Sequence, residues 1–404
     1  MNANPSPANA SGLLISGRPQ LNRRINLAIV LDLIMRKGPL SRADLVKETG
    51  IRATSISSIV EHLIKEDLVK EIGLGVSTGG RQPVLLELRA DGRYGIGIEL
   101  QKTAINCILV NMRGQVLQKM VRPLPNTDVN AVVRQMQKAT QEFMTKRKLK
   151  RKSMVGIGVA VPGIISKDEG RVVLSRTLSW KNMMLKPQLE KLLGLSTHVL
   201  NNATAGALTA HFDAPPEKAT GSLLYVLIML RHSGTENLAE LGCGIVLDGR
   251  AYLGEGHMAG EIRVDIRHPR AIVRERSGGK KTLTLDELIQ LSLKTPDAYA
   301  YAWDDIAEHV GRVIGRGIDF LSPGRVVIGS DVPELEQVVG DRIRQEAHDH
   351  SVNDIVNRLP ELNHIRPVPI DFSVIAEDTL ARGAIVPHLL ELSLAPRLRE
   401  SVLV

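Results

Sequence analysis

The chain has 404 residues, 43% of them hydrophobic and 24% charged, and carries a net charge of +8 from 52 basic and 44 acidic side chains. At roughly 150 residues per domain that length suggests two or three domains with apolar mass for a sizeable core. The longest strictly apolar run, Leu223 to Leu230, is far too short to span a bilayer. No signal-peptide pattern opens the chain, and Cys107 and Cys243 are its only cysteines, so a cytoplasmic protein without membrane contact, disulfide framework or multi-thiolate zinc is expected.

Residues 1–20, rich in Asn, Ser, Pro and Gly, read as a disordered tail. From Asn22 to Met35 the apolar Ile25, Ile29 and Leu33 recur at helical spacing, and Gly38-Pro39 ends the helix. Ser41 precedes Asp44 by three residues, a capping-box start for a short helix over Arg42–Glu48. Gly50 marks a tight turn, and a third helix is predicted from Ala53 to Glu66 with Ile56, Ile59, Val60, Leu63 and Ile64 inward. This is a helix-turn-helix pattern. Leu68–Ile72 and Pro83–Leu88 flank a Gly/Ser/Thr-rich turn and read as a β-hairpin wing. Small hydroxyls at the start of the third helix permit close approach to a major groove, and Arg81 after Gly79-Gly80 suits a phosphate or a narrow minor groove. The candidate DNA contacts are Ser41, Arg42, Arg52, Thr54, Ser55, Ser58, Gly79, Gly80 and Arg81. Residues 1–90 hold +4 of the net charge, which suits a polyanionic partner.

Beyond residue 90, strands are predicted at 94–100, 104–110, 115–121, 154–161, 197–200, 223–230, 244–247 and 325–328. Helices are predicted at 129–146, 186–193, 203–211, 285–293 and 297–321. Strands followed by crossover helices point to an α/β domain, with two lobes near 91–195 and 196–404. Six of the seven residues from Lys146 to Lys152 are basic. That run reads as a solvated helix end and linker, with an auxiliary phosphate contact as the alternative.

From about Leu21 the chain resembles the ROK family (repressors, open reading frames, sugar kinases), and within it the transcriptional-repressor branch. The residues that carry the resemblance are Gly38-Pro-Leu-Ser-Arg-Ala-Asp-Leu45, Gly79-Gly-Arg-Gln-Pro83, Gly156-Ile-Gly-Val-Ala-Val-Pro-Gly163, Asn201-Asn-Ala-Thr-Ala-Gly-Ala207 and Ala259-Gly-Glu-Ile262. The implied fold is α/β, a winged helix-turn-helix followed by a two-lobed actin-like (ROK sugar-kinase-like, ribonuclease H-like) domain.

The resemblance also shows departures. The family's Asp-x-Gly-Gly-Thr phosphate loop corresponds to Glu99-Leu-Gln-Lys-Thr103, without either glycine that lets backbone amides reach phosphate. An insertion of about ten residues between Met229 and Gly244 interrupts the second phosphate motif, and the adenosine contact becomes Gly329-Ser330-Asp331. The general-base Asp is replaced by Asn202, a neutral amide unable to accept the proton. Asn201 and Glu261 fall on hydroxyl-binding positions and, with Asn202, are the candidate effector-binding residues. Thr177 replaces an Asn of the first lobe, while Trp180 is kept. The zinc segment of many relatives corresponds to His268–Lys281, which has no cysteine, and Val264 replaces its further His. The resemblance therefore implies a DNA-binding transcriptional regulator of repressor type, without catalytic residues, cofactor or metal. It would act as a homodimer or tetramer on a double-stranded DNA operator, with a sugar or sugar-derivative effector. A ROK sugar kinase with an accessory head and a ligand-independent regulator are the alternatives.

Overall fold

The computed structural model describes residues 19–75, 82–166, 169–218, 221–233, 236–262, 264–352 and 367–393. The chain divides into two compact units, one holding the residues through Gly92 together with those from Leu390 onward, the other Arg93–Leu389. The tail expected over 1–20 lies outside the described residues, apart from Pro19 and Gln20, which already belong to the first helix.

In the first unit, α1 (Pro19–Lys37) is followed by β1 (Leu40–Ser41), α2 (Arg42–Thr49), α3 (Ala53–Lys65), β2 (Val69–Leu74) and β3 (Val84–Leu88). The three strands form one antiparallel sheet in the order β1-β3-β2, so the wing hairpin is anchored at the start of α2. Gly50 closes α2 with φ +68, the left-handed conformation that a Cβ penalises. α3 buries Ile56, Ile59, Val60 and Leu63 as its periodicity requires. α1 differs from expectation: it buries Ala28, Val30, Leu31 and Ile34, whereas Ile29 is exposed and Ile25 and Leu33 are half-buried. This helix is apolar on more than one face, so spacing permits two stripes, and packing on α3 and β3 selects one.

The second unit has two lobes. The first contains β4 (Tyr94–Leu100), β5 (Ala104–Asn111), β6 (Val116–Pro123), α4 (Val129–Lys146), β7 (Met154–Val161), a small sheet of β8 (Ile164–Ser166), β9 (Arg171–Ser175) and β10 (Trp180–Met184), α5 (Leu185–Leu193) and β11 (Thr197–Asn201). Its main sheet has the order β11-β7-β4-β5-β6. β11 pairs in parallel with β7, so the first lobe extends past the boundary expected near 195. The chain then continues through α6 (Asn202–Phe212), β12 (Ser222–Met229), β13 (Leu238–Leu247), β14 (Arg250–Ala251), β15 (Ile266–Arg267), α7 (Pro269–Arg276), α8 (Leu285–Lys294), α9 (Pro296–Tyr299), α10 (Asp304–Leu321), β16 (Arg325–Ser330), α11 (Asp341–Asp349), β17 (Ile370–Val374) and α12 (Thr379–Ser393). The second sheet has the order β14-β13-β12-β16-β17.

Three sequence expectations change here. Part of the segment read as an insertion is the first half of β13, which pairs with β12 from Ser222 to Met229. The single helix expected over 297–321 is broken at Ala300–Trp303, where Trp303 turns inward and donates from Nε1 to Ser292 Oγ at 2.9 Å. α12, expected only as an unplaced C-terminal helix, packs its backbone directly on the first sheet. A Cβ on Gly97 would lie 2.0 Å from Ala381 O, and one on Gly158 2.0 Å from Ala384 O. The strand glycines near 156–163 thus include positions that admit a helix backbone, a packing role distinct from phosphate binding.

Candidate nucleic-acid interface and ligand cleft

Arg52, Thr54, Ser55 and Ser58 are all exposed and lie at or within the first two turns of α3. Arg52 occupies the N-cap but makes no side-chain cap bond, and the first turn holds no acidic residue. Among the described residues the opening amides of α3 are therefore left without a side-chain acceptor, and the helix dipole there favours an anion. Arg36, Lys37, Arg42, Lys70 and Arg89 each pair with a carboxylate, whereas Arg52 has none among the described residues.

One expected contact is reassigned. Ser41 is only 3% exposed. Its Oγ accepts from Asp44 N at 3.1 Å and its amide donates to Asp44 Oδ2 at 2.8 Å. The Ser41 hydroxyl also donates to Asp44 Oδ2 at 2.7 Å, and this bond, with that from the Ser41 amide, holds the Asp44 carboxyl below its ordinary value, so Ser41 is a helix cap rather than a surface contact. Arg42 donates to Glu71 Oε1 at 3.0 Å and braces α2 against β2. Gly79, Gly80 and Arg81 lie outside the described residues.

In the second unit, Asn201 ends β11 and caps α6. Its Oδ1 accepts from the amides of Ala203 and Thr204, and its Nδ2 donates to Gly163 O at 2.8 Å and to Glu261 Oε1 at 3.1 Å. The last bond crosses between the lobes, as does that from Thr177 Oγ1 to Glu240 Oε1 at 3.3 Å. Glu261 is exposed by area, yet the protein around its carboxyl raises its pKa by desolvation. Beside Asn201, the Oδ1 of Asn202 is buried and has no hydrogen-bond partner among the described residues. Ile165, Thr204, Leu253 and His257 complete a cleft around Asn201 and Glu261. Its enclosed space of about 10 Å³ holds roughly one water. Sequence reading missed His257 and Leu253, because a lone His or Leu in a loop carries no local signal of a cleft. Trp180 does not enter it; the ring is buried and Nε1 donates to Thr127 O at 2.6 Å.

The ROK family model matches residues 95–263. The chain is 24% identical over 355 residues to the xylose repressor of Bacillus subtilis (strain 168), covering 83% of this chain and 89% of that protein. It is 23% identical over 411 residues to the DNA-binding transcriptional dual regulator NagC of Escherichia coli (strain K12), covering 93% and 98%. Among solved structures, a ROK family transcriptional regulator homologous to the E. coli MLC protein superposes with a TM-score of 0.75 at 20% identity, covering 93% of this chain and 98% of that one. The chain is thus similar to ROK family proteins in sequence over residues 95–263 and to repressor-named relatives over most of its length. A ROK family glucokinase from Streptomyces griseus matches with a TM-score of 0.56 at 16% identity, covering 72% and 97%, which shows the shared actin-like body.

The positions that resemblance assigns to nucleotide chemistry in ROK kinases are filled here by self-contacts. Glu99 is 3% exposed; its carboxyl accepts from Gln101 Nε2 at 3.1 Å and Asn106 Nδ2 at 3.0 Å. Burial pushes that carboxyl upward, opposed by the two amides. Gln101, standing where the family has glycine, thus spends its side chain on Glu99. Asp331 accepts from Leu230 N at 2.8 Å, His232 N at 2.9 Å and His232 Nδ1 at 3.1 Å. It ties β16 to the turn that follows β12, where the second phosphate motif would stand.

The ROK zinc segment does not fit a metal in this chain. His268 is fully buried and caps α7. Its Nδ1 accepts from Arg270 N at 3.2 Å, which leaves Nε2 to donate to Leu230 O at 3.2 Å. Desolvation keeps the ring neutral by lowering its pKa, and both nitrogens are occupied. The segment is pinned instead by Arg276, 4.1 Å above the Tyr301 ring, and Lys281, 5.8 Å from the Tyr299 ring centre.

Proposed function

We propose that this ROK protein is a DNA-binding transcriptional regulator, of repressor type, whose kinase-like body senses an effector and oligomerises but transfers no phosphoryl group. The observation that carries the reading is the pairing of an open, acid-free N-terminus on α3 with a nucleotide cradle occupied by Glu99, Gln101 and Asp331. The head extends to about residue 90. As a cytoplasmic homodimer or tetramer, the protein would present paired heads to half-sites about one helical turn, or a multiple of it, apart.

The effector is a sugar or sugar derivative held by Asn201, Asn202 and Glu261. The Asn202 Oδ1 accepts a hydrogen bond from one sugar hydroxyl, and the Glu261 carboxyl accepts one from another. Because the cleft has room for about one water, a sugar enters only when the lobes part and the Asn201–Glu261 and Thr177–Glu240 bonds open. The effector thus favours an open state, and that differential affinity couples it to DNA. Selection of genomic fragments by the purified protein, with and without a panel of sugars, tests this. Enrichment of an operator that one sugar releases is the expected result; no sequence-selective duplex binding refutes it.

The reading as a ROK kinase with an accessory head makes a different prediction for Asn202→Asp. Restoring a base could recover the general-base contribution of about 10²–10⁴-fold only if ATP phosphates were held. With Gln101 and Asp331 engaged in self-contacts, the variant is expected to show no ATP-dependent sugar phosphorylation in a coupled assay. Measurable turnover would favour the kinase.

A further inference from the structure

The run Lys146–Lys152 is not used by either site. It begins at the last residue of α4 and continues through a turn into a short 3-10 helix at Arg151–Ser153. The turn is built, not loose. Lys148 N donates to Thr145 O at 3.1 Å and Leu149 N to Met144 O at 2.8 Å, the bonds of a Schellman helix end. That motif places Lys148 at the left-handed position, φ +53, where glycine is the unstrained residue and a side chain is disfavoured. A lysine kept at such a position presents a cation from a fixed backbone.

The surrounding carboxylates are already committed. Glu142 pairs with Lys146 and Arg122, and Glu190 accepts from Thr197 N at 2.9 Å. Arg147 donates to Leu117 O at 3.0 Å, and Arg151 donates to Leu193 O. Lys148, Lys150 and Lys152 are exposed and have no carboxylate partner among the described residues. The one apolar residue in the run, Leu149, is half-buried against the lobe core. The turn therefore offers closely spaced point charges without the apolar anchors that protein interfaces use, which matches a phosphate backbone.

We propose that this turn is a second, sequence-independent contact of the protein with the phosphate backbone of double-stranded DNA, made by Lys148, Lys150 and Lys152. The inference rests on the DNA-binding reading above and adds a surface on the body to that on the head. In full-length protein, the triple variant Lys148→Gln/Lys150→Gln/Lys152→Gln leaves both arginine–carbonyl bonds in place. Binding to a random-sequence duplex is measured against salt concentration. Each phosphate contact contributes a slope of about 0.9 in log K against log salt, so the variant is expected to be shallower by about 2–3 and at least about tenfold weaker at low salt.

A second variant separates charge from folding. Lys148→Gly relieves the left-handed position and is expected to raise the melting temperature while weakening duplex binding, an opposition that a merely structural lysine would not produce. If wild type binds duplex and both variants match it in slope and affinity, the proposal is overturned while the DNA-binding reading stands. If the triple variant instead loses binding only to poly-glutamate, the surface serves an acidic protein and the proposal is likewise overturned. Failure of wild type to bind any duplex removes both readings.

Discussion

Ser55→Asp is expected to weaken operator binding about 100-fold without harming the head. Ser55 is the third residue of α3, exposed in a first turn that has no acidic side chain. A carboxylate there complements the helix dipole and should stabilise the isolated fold by about 0.3–1 kcal/mol. The same carboxylate faces the anion that the open amides would receive. Losing a phosphate or base contact and adding repulsion is worth about 3 kcal/mol, or about 100-fold in affinity at low salt. Ser55→Ala, which removes only the hydroxyl, should cost about tenfold or less. Fluorescence anisotropy with operator DNA and thermal melting together give the test. Unchanged affinity in Ser55→Asp would show that α3 does not read the duplex.

The largest stability effect is expected from Asp331→Ala. The Asp331 side chain is 5% exposed and receives two backbone N–H groups from the turn after β12. Its removal leaves the buried Leu230 amide without its acceptor. A loss of about 3 kcal/mol is expected, and a melting temperature lower by about 6 °C for a body of this size. The loss should depend on pH. His232 is raised above its ordinary value chiefly by its bond to Asp331, with the Asp331 and Glu99 charges also raising it and burial and Arg231 opposing. A raised histidine pKa gives stability that is complete below the ordinary value of 6.5 and lost as pH climbs through the folded value. The difference between wild type and Asp331→Ala should therefore be larger at pH 6 than at pH 8.5. A difference independent of pH would mean that the His232–Asp331 bond adds nothing beyond the two amide bonds.

The head was read well from sequence because its determinants are local. The capping box at Ser41 and Asp44, the left-handed Gly50 and the buried stripe of α3 each involve residues within a few positions of one another. The same locality misled in two places. Ser41 fits a DNA contact and a cap equally well by residue type, and only its burial decides. The Ile25–Ile29–Leu33 spacing of α1 is as regular as the stripe actually buried, and the neighbouring elements choose between them.

By itself the sequence determined the α/β class, the winged head, the ROK resemblance and the departure of the family's phosphate and base residues, because each is a matter of residue identity or short-range periodicity. Tertiary structure alone decided what those departures became. Asn201 reaches Glu261 sixty positions away, and Asp331 holds amides about a hundred positions upstream. Hydrogen bonds between residues so distant leave no pattern in either local neighbourhood; they exist only once two sheets and their crossover helices have brought the chain back on itself.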